Sequence, residues 1–189
     1  MEDLRNRLNT YRLNDFLVEA SKRGATVIVS LDAMPKWLAA DKSEKLLADG
    51  PAFAKSRPAD YGRWSDMVEQ VVTHFNRKLG LSPYYEVWNE PDWSYPGRLP
   101  EYLKLYRATA EDARRAVPNA RIAGPTISDL TSASTTDKRG YWMRDFLQAA
   151  SAERLPLDAV IWHVFYREPG LYHELATRVV RRWLTEARL

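Results

Sequence analysis

The glutamate at position 90 is the residue of this sequence best placed to carry acid–base chemistry. It follows residues 84–88, YYEVW, a short run of strand-forming residue types, and it stands within Asn89-Glu90-Pro91. Proline lacks the N–H that a β-ladder needs, so we expect Pro91 to end the strand and to leave Asn89 and Glu90 at its carboxyl tip. A carboxyl group at a strand tip, beside rings such as that of Trp93, could donate or accept a proton during catalysis.

Helical and strand-like patterns alternate along the whole chain. Apolar residues at helical spacing predict helices, and short β-branched or aromatic runs predict buried strands. This alternation predicts an α/β fold with a parallel sheet, either a barrel or a doubly wound sheet, and ligands bind at the carboxyl ends of the strands in both. The predicted helices cover residues 4–23, 64–79, 101–116, 141–152 and 171–188; the predicted strands cover 25–31, 84–88, 121–127 and 157–166; a long loop is predicted over 39–63.

Polar and aromatic residues gather at the predicted strand ends, which favours a site there. The bland alternatives are that His163 is a buried core histidine, that Asp32 caps a turn, that Trp88 belongs to the core and that Trp93 packs locally. The strand-end residues are Asp32 with Trp37, Asn89 with Glu90, and His163 with Tyr166.

Composition bounds the class of protein. A chain of 189 residues can bury the core of one domain. A net charge of +3, spread along the chain, argues against nucleic-acid binding in spite of a pI near 9.1. No run reaches the roughly 18 apolar residues of a membrane helix, and the first residues do not have the pattern of a signal peptide. Seven tryptophans and ten tyrosines form the informative excess, because sugar-binding clefts use such rings as stacking platforms.

Four segments together resemble a known family. The motif VWNEPD is similar to the acid/base motif of retaining β-glycosidases built on the (β/α)8 barrel, and it is most similar to that of the β-xylosidase and α-L-iduronidase family, glycoside hydrolase family 39, with its related exopolysaccharide hydrolases. SLDAMPKWL resembles the third strand of that family and its turn, RIAGPTIS the fifth strand, and DAVIWHVFY the sixth. The resemblance covers about residues 11–175.

The resemblance implies a carbohydrate substrate, no cofactor and a set of site residues. Glu90 would be the general acid/base of a retaining mechanism, which needs a protonated carboxyl group beside the leaving oxygen. Asn89 would bind the sugar 2-hydroxyl, His163 and Tyr166 would line the floor of the pocket, and Trp37 and Trp93 would stack on sugar faces. Tyr166 stands one residue later than the family's usual His-x-Tyr spacing.

The second carboxyl group of the mechanism has no obvious source in this sequence. In the family it lies on the seventh strand, whereas the matched segments correspond to strands three to six. We therefore expect residues 1–189 to form one partial barrel domain, inactive or very weak alone. A non-catalytic carbohydrate-binding protein and a doubly wound hydrolase are the alternatives; the second is disfavoured by the absence of a Gly-x-Ser-x-Gly or phosphate-loop motif. The sugar, the localisation and the oligomeric state stay open.

Overall fold

A parallel sheet forms the centre of the protein and carries the predicted site at one edge. The computed structural model describes residues 11–47, 50–96, 99–130, 138–164 and 168–189. The strands are β1 (Ile28–Leu31), β2 (Leu46–Leu47), β3 (Gly50–Pro51), β4 (Tyr84–Val87), β5 (Arg121–Ile127) and β6 (Ala159–Trp162). In the main sheet the strand order is β1-β4-β5-β6, and every neighbouring pair is parallel. A small antiparallel pair, β2–β3, stands apart from it.

Helices connect the parallel strands and cover one face of the sheet. The helices are α1 (Tyr11–Lys22), α2 (Tyr61–Thr73), α3 (Pro91–Ser94), α4 (Leu99–Ala116), α5 (Lys138–Ala152), α6 (Pro169–Glu174) and α7 (Arg181–Ala187). A 3₁₀ turn, Ala52–Lys55, follows β3. One π-helical segment, His74–Lys78, extends α2, and a second, Leu175–Val180, joins α6 to α7. In the described part of the chain, no helix is long and apolar enough to cross a membrane.

The core lies between the sheet and helices α2, α4 and α5. Tyr85 and Val87 of β4 are fully buried, as is Ile122 of β5. A buried hydrogen bond, 2.9 Å from Trp64 Nε1 to Thr109 Oγ1, joins α2 to α4. Side chains of a strand alternate between the two faces of the sheet. In β1, Leu31 is buried on the helix side, whereas Ile28 points to the other face and is 52% exposed. One face of the sheet therefore packs on helices, while the other is open at β1.

The predicted alternation of helices and strands is confirmed, and the third predicted strand, 121–127, has the observed bounds. The other three strands are shorter than predicted: residues 25–27 precede β1, β4 ends one residue early at Val87, and β6 does not include residues 157, 158, 163 and 164. The last two residues of that prediction, 165 and 166, lie outside the described residues. The predicted loop 39–63 contains the β2–β3 pair, the 3₁₀ turn and the first residues of α2. The first part of the predicted helix 4–23, residues 4–10, lies outside the described residues.

Candidate active site

The backbone after β4 forms a strained turn that carries Glu90. Strand β4 ends at Val87 because Trp88 adopts a left-handed conformation, with φ 66°, and Glu90 does the same, with φ 50° and ψ 55°. A left-handed conformation costs a non-glycine residue roughly 1–2 kcal/mol. The prediction that Pro91 ends the strand is wrong. Pro91 is the first residue of α3, where its fixed φ suits a helix and no N–H is needed.

Ser94 holds this turn together from within. Its hydroxyl oxygen accepts a hydrogen bond from the indole N–H of Trp88 at 2.9 Å, and the hydroxyl lies 2.8 Å from the carbonyl oxygen of Asn89 and 3.0 Å from that of Glu90. Trp88 is only 1% exposed and packs edge-on against Tyr95. The structure supports the interpretation of Trp88 as a core residue. Its indole anchors the turn that presents Glu90.

Glu90 and His163 meet at the carboxyl edge of the sheet. Oε1 of Glu90 lies 2.6 Å from Nδ1 of His163, which follows β6, two strands away from β4 in the sheet. The Glu90 side chain is 23% exposed and the His163 side chain 34%, so both are partly shielded but reachable from solvent. Either the imidazole N–H donates to the carboxylate or the carboxyl O–H donates to the imine nitrogen. The contact therefore joins the two side chains by one hydrogen bond, whichever of them carries the proton.

Other carboxyl groups at this edge are engaged by hydroxyl and backbone donors. Oδ1 of Asp92 accepts from the backbone N–H of Ser128 at 3.0 Å, and Oδ2 accepts from the Ser128 hydroxyl at 2.6 Å. The buried carboxylate of Glu86 accepts a hydrogen bond from Thr126 Oγ1. Burial raises the pKa of Asp92 above its ordinary value, and the bonds from Ser128 oppose this shift.

Asp32 stands after β1 and faces the same group of carboxyls. Asp32 is exposed, but partial desolvation by its neighbours raises its pKa above the ordinary value, while hydrogen bonds from the backbone amides of Ala33 and Asn89 oppose the shift. The negative charges of Glu86 and Glu90 add to the increase. Asp32 is therefore electrostatically coupled to the turn that carries Glu90, as well as to its own turn.

The remaining predicted site residues fall in different surroundings. Asn89 forms an isolated parallel bridge with Thr126, which fastens the turn to β5. Trp37 is half-buried against the core, with the guanidinium carbon of Arg63 5.1 Å from its ring centroid. Trp93 is 58% exposed on α3. Tyr166 lies outside the described residues, so its prediction is not tested. Roles in substrate binding stay predictions for all of them.

A cleft opens beside the turn, between the segment after β1 and the segment after β4. Its volume is about 640 Å³, and its walls include Lys55, Arg57, Trp93, Ser94 and Tyr95. On this side the cleft begins at Trp93, which follows Glu90 in α3 and whose indole is exposed. Among the described residues, no group of His, Asp and Glu side chains is arranged to hold a metal ion.

The sequence did not identify Asp92, Ser94 or Ser128 as parts of the site. A signal for Ser94 was present, because serine soon after Pro91 can cap or brace a short turn. Ser128 is the last residue of the RIAGPTIS segment, but nothing in its sequence context indicated a carboxylate partner 36 residues earlier.

Comparisons with known proteins agree on the family. The profile of Glycosyl hydrolases family 39 matches residues 5–177. A β-xylosidase of Geobacillus stearothermophilus is 31% identical over 140 residues, which is 70% of this chain and 25% of that protein. A β-xylosidase of Caldicellulosiruptor saccharolyticus is 25% identical over 158 residues, 80% of this chain and 29% of that protein. The chain thus spans between a quarter and a third of the length of these curated relatives.

Solved structures of similar proteins share the fold. A glucosidase from Croceicoccus marinus superposes with a TM-score of 0.66 at 17% identity, over 93% of this chain and 35% of the other. The GH39 enzyme from Xanthomonas axonopodis pv. citri gives a TM-score of 0.58 at 25% identity, over 71% and 25%. With the family profile covering nearly the whole sequence, the chain belongs to glycosyl hydrolases family 39.

Proposed function

We propose that the protein is a retaining glycoside hydrolase in which Glu90 is the general acid/base. The observation that carries the proposal is the 2.6 Å contact between Glu90 and His163 at the carboxyl edge of a parallel sheet, in a chain of family 39. Active sites of α/β proteins lie at this edge. The imidazole holds one carboxyl oxygen of Glu90 by a hydrogen bond, and the second oxygen is the one that would exchange a proton with substrate and water.

In the first step of this mechanism, Glu90 protonates the oxygen of the leaving group as the glycosidic bond breaks. In the second, the same group removes a proton from the water that releases the sugar. His163 holds Oε1, which leaves Oε2 as the oxygen that would carry the transferred proton. Asn89, on the preceding position of the turn, would bind the sugar 2-hydroxyl; Trp37 and Trp93 would stack on sugar rings, and His163 and Tyr166 would line the pocket floor.

The strand order supports a (β/α)8 barrel as the parent architecture. Each strand of the main sheet lies beside the next one connected to it by a helix, without the reversal of order that marks a doubly wound sheet. The exposed face of β1 also suits the interior of a barrel. We propose that residues 1–189 form one domain that contributes the third to sixth strands of such a barrel.

The second carboxyl group of a retaining site lies about 5–5.5 Å from the first. Glu86 and Asp92 are poor candidates, because each is fixed by hydroxyl donors of the neighbouring strand segment. Asp32 follows β1 and is held by backbone amides. The proposal therefore assigns to this chain the acid/base half of the site and the adjoining cleft, and it leaves the nucleophile to a further strand of the barrel.

The test replaces the matched segment of the Geobacillus β-xylosidase with the corresponding residues of this chain and measures hydrolysis of aryl β-xylosides. Both curated relatives are β-xylosidases, which makes β-xylosides the first substrates to try. Glu90→Gln should lower kcat/KM for a phenyl xyloside by roughly 10²–10⁴-fold. A dinitrophenyl xyloside should be affected much less at the bond-breaking step, because its leaving group needs no proton.

Glu174→Gln is the matched control, since Glu174 is an exposed carboxylate whose side chain is 56% accessible. It should leave both substrates unaffected. Equal losses of bond cleavage for the two leaving groups with Glu90→Gln would contradict the acid/base role. If the folded chimera shows no turnover but an active-site variant still binds sugar, the result would favour the non-catalytic, carbohydrate-binding alternative.

A further inference from the structure

The short helix that follows Glu90 is attached to the neighbouring strand by a side chain. Asp92 is the second residue of α3, and its two carboxylate oxygens accept separate hydrogen bonds from one residue, Ser128. Ser128 directly follows β5 and is only 8% exposed, so one end of the contact is fixed in the protein interior. A bidentate contact restrains both the position and the rotation of the carboxylate.

This contact lies close to the strained residue that bears the proposed acid. Glu90 precedes α3 in a left-handed conformation, and its carbonyl oxygen accepts hydrogen bonds from the backbone N–H of Trp93 at 3.0 Å and of Ser94 at 2.7 Å. The turn of α3 is thus built directly on Glu90. A left-handed non-glycine residue persists only where its surroundings enforce it. The Asp92–Ser128 contact supplies such a restraint from outside the turn.

We propose that Asp92 and Ser128 form a clamp that positions Glu90 against His163. This inference rests on the proposed function, because it assigns Asp92 and Ser128 as positioning residues for the acid/base. The clamp fixes α3 to the end of β5, and α3 in turn fixes the backbone of Glu90. The carboxyl oxygen Oε1 of Glu90 then meets the imidazole of His163, which follows β6. The three neighbouring strands β4, β5 and β6 thus jointly fix the position of the Glu90 carboxyl group.

The clamp acts through hydrogen-bond geometry, which makes a matched pair of variants informative. In Asp92→Asn the amide oxygen can accept from the Ser128 backbone N–H, and the amide N–H₂ can donate to the Ser128 hydroxyl oxygen. The shape and both bonds are kept while the charge is lost. Asp92→Ala removes both bonds. Ser128→Ala removes only the hydroxyl bond and keeps the backbone N–H, so its effect should be intermediate.

The experiment is NMR on the 15N-labelled 189-residue chain and these variants. The first readout is the ring 15Nδ1 signal of His163, assigned by its loss in His163→Gln, which reports the contact with Glu90 whichever of the two groups carries the proton. The second is amide hydrogen exchange of Trp93 and Ser94, which reports opening of the turn. Amides in the middle of β5 report global stability.

We expect Asp92→Ala to shift or broaden the His163 ring signal and to speed exchange at Trp93 and Ser94 by about 10-fold to 100-fold, the range for hydrogen bonds to a charged group. Asp92→Asn should retain the wild-type ring signal and exchange within a few fold of wild type. An unchanged His163 signal in Asp92→Ala would overturn the clamp, and so would an Asp92→Asn variant that behaves like Asp92→Ala. If Asp92→Ala does not fold, an unchanged ring signal in Ser128→Ala overturns the proposal and an intermediate shift supports it.

These readouts do not depend on catalysis. A clamp can therefore be shown to position Glu90 even if the chimera shows that Glu90 is not an acid, and the reverse also holds. In the chimera, Asp92→Ala should lower kcat for the phenyl xyloside more than it raises KM, with recovery in Asp92→Asn. A loss that Asp92→Asn does not recover would count against positioning.

Discussion

Removing the hydroxyl of Ser94 should destabilise the turn that carries Glu90. That hydroxyl is the acceptor for the indole N–H of Trp88, and it lies within hydrogen-bond distance of the carbonyl oxygens of Asn89 and Glu90. In Ser94→Ala the indole N–H of Trp88 loses this acceptor, at a side chain that is only 1% exposed. The variant therefore leaves a buried donor without its partner in the protein.

The size of the effect follows from two contributions. An unsatisfied buried donor costs about 1–3 kcal/mol, and the lost hydroxyl-to-carbonyl bond contributes about 0.5–1.5 kcal/mol more. Ser94→Ala should thus lower the free energy of unfolding by about 1.5–4.5 kcal/mol. Small domains are stable by only about 5–15 kcal/mol, so the change is readily measured by urea denaturation.

A double-mutant cycle with Trp88→Phe isolates the indole bond. Phenylalanine keeps an aromatic ring near Tyr95, whose ring centroid lies 4.9 Å from that of Trp88, but it has no N–H to satisfy. In the Trp88→Phe background, Ser94→Ala should cost about 1–3 kcal/mol less than in the wild type. An equal cost in the two backgrounds, within about 0.5 kcal/mol, would refute the idea that the indole bond fixes the turn.

Two further predictions concern the neighbouring strand and the acidic edge. Gly124→Ala should lower the free energy of unfolding by about 1–3 kcal/mol, because Gly124 has φ 147° and an added Cβ would lie 3.1 Å from Tyr102 Oη and from Tyr106 Cε2; an unchanged urea midpoint would contradict this. Burial raises the pKa of Asp92 above its ordinary value of 3.8, so the folded state binds that proton more tightly than the unfolded state. The free energy of unfolding should therefore fall as the pH rises from 3.8 through the raised pKa, and Asp92→Asn should flatten the curve measured by urea titrations across this range. Equal slopes for the two proteins would contradict the pKa shift.

Strand bounds were predicted correctly where the residue pattern and the pairing partners agree, and wrongly where the partner strand starts later than the pattern. Residues 121–127 were assigned correctly, because the run is flanked by polar turn residues and pairs along both sides. Strand β1 begins at Ile28, three residues later than predicted, since its partner in β4 begins only at Tyr84. The Tyr84 N–H donates to the Val27 carbonyl oxygen at 3.0 Å, at the start of this pairing. The start of β1 is thus set by the start of β4 and not by its own residue pattern.

The start of β6 was misplaced for a related reason. The prediction placed Asp158 inside the strand, but its side chain accepts a hydrogen bond from the backbone N–H of Ile122 at 2.7 Å and contacts Arg114 at 2.9 Å. The carboxylate thereby takes a place that a strand carbonyl would occupy in a regular ladder. Apolar patterning indicates which segments are buried, but it does not show where a side chain substitutes for backbone pairing.

The left-handed residues after β4 were also outside the reach of pattern reasoning. A tryptophan and a glutamate have no intrinsic preference for positive φ, so nothing in VWNEPD marks Trp88 or Glu90 as strained. The conformations follow from tertiary contacts: the Trp88 indole reaches Ser94, and Asn89 bridges to Thr126. Pro91 was expected to end the strand, but the strand already ends at Val87, and Pro91 is the first residue of α3.

Three carboxyl groups within seven residues of the sequence differ chiefly in their partners. Glu86 and Asp92 contact hydroxyl groups 40 and 36 residues away, at the end of β5, whereas Glu90 contacts an imidazole 73 residues away, after β6. Both carboxylate oxygens of Asp92 accept hydrogen bonds from Ser128, whereas the imidazole of His163 contacts Oε1 of Glu90. The crossover connections that place β4, β5 and β6 side by side therefore decide which partner each carboxyl group meets, and the motif alone does not show this.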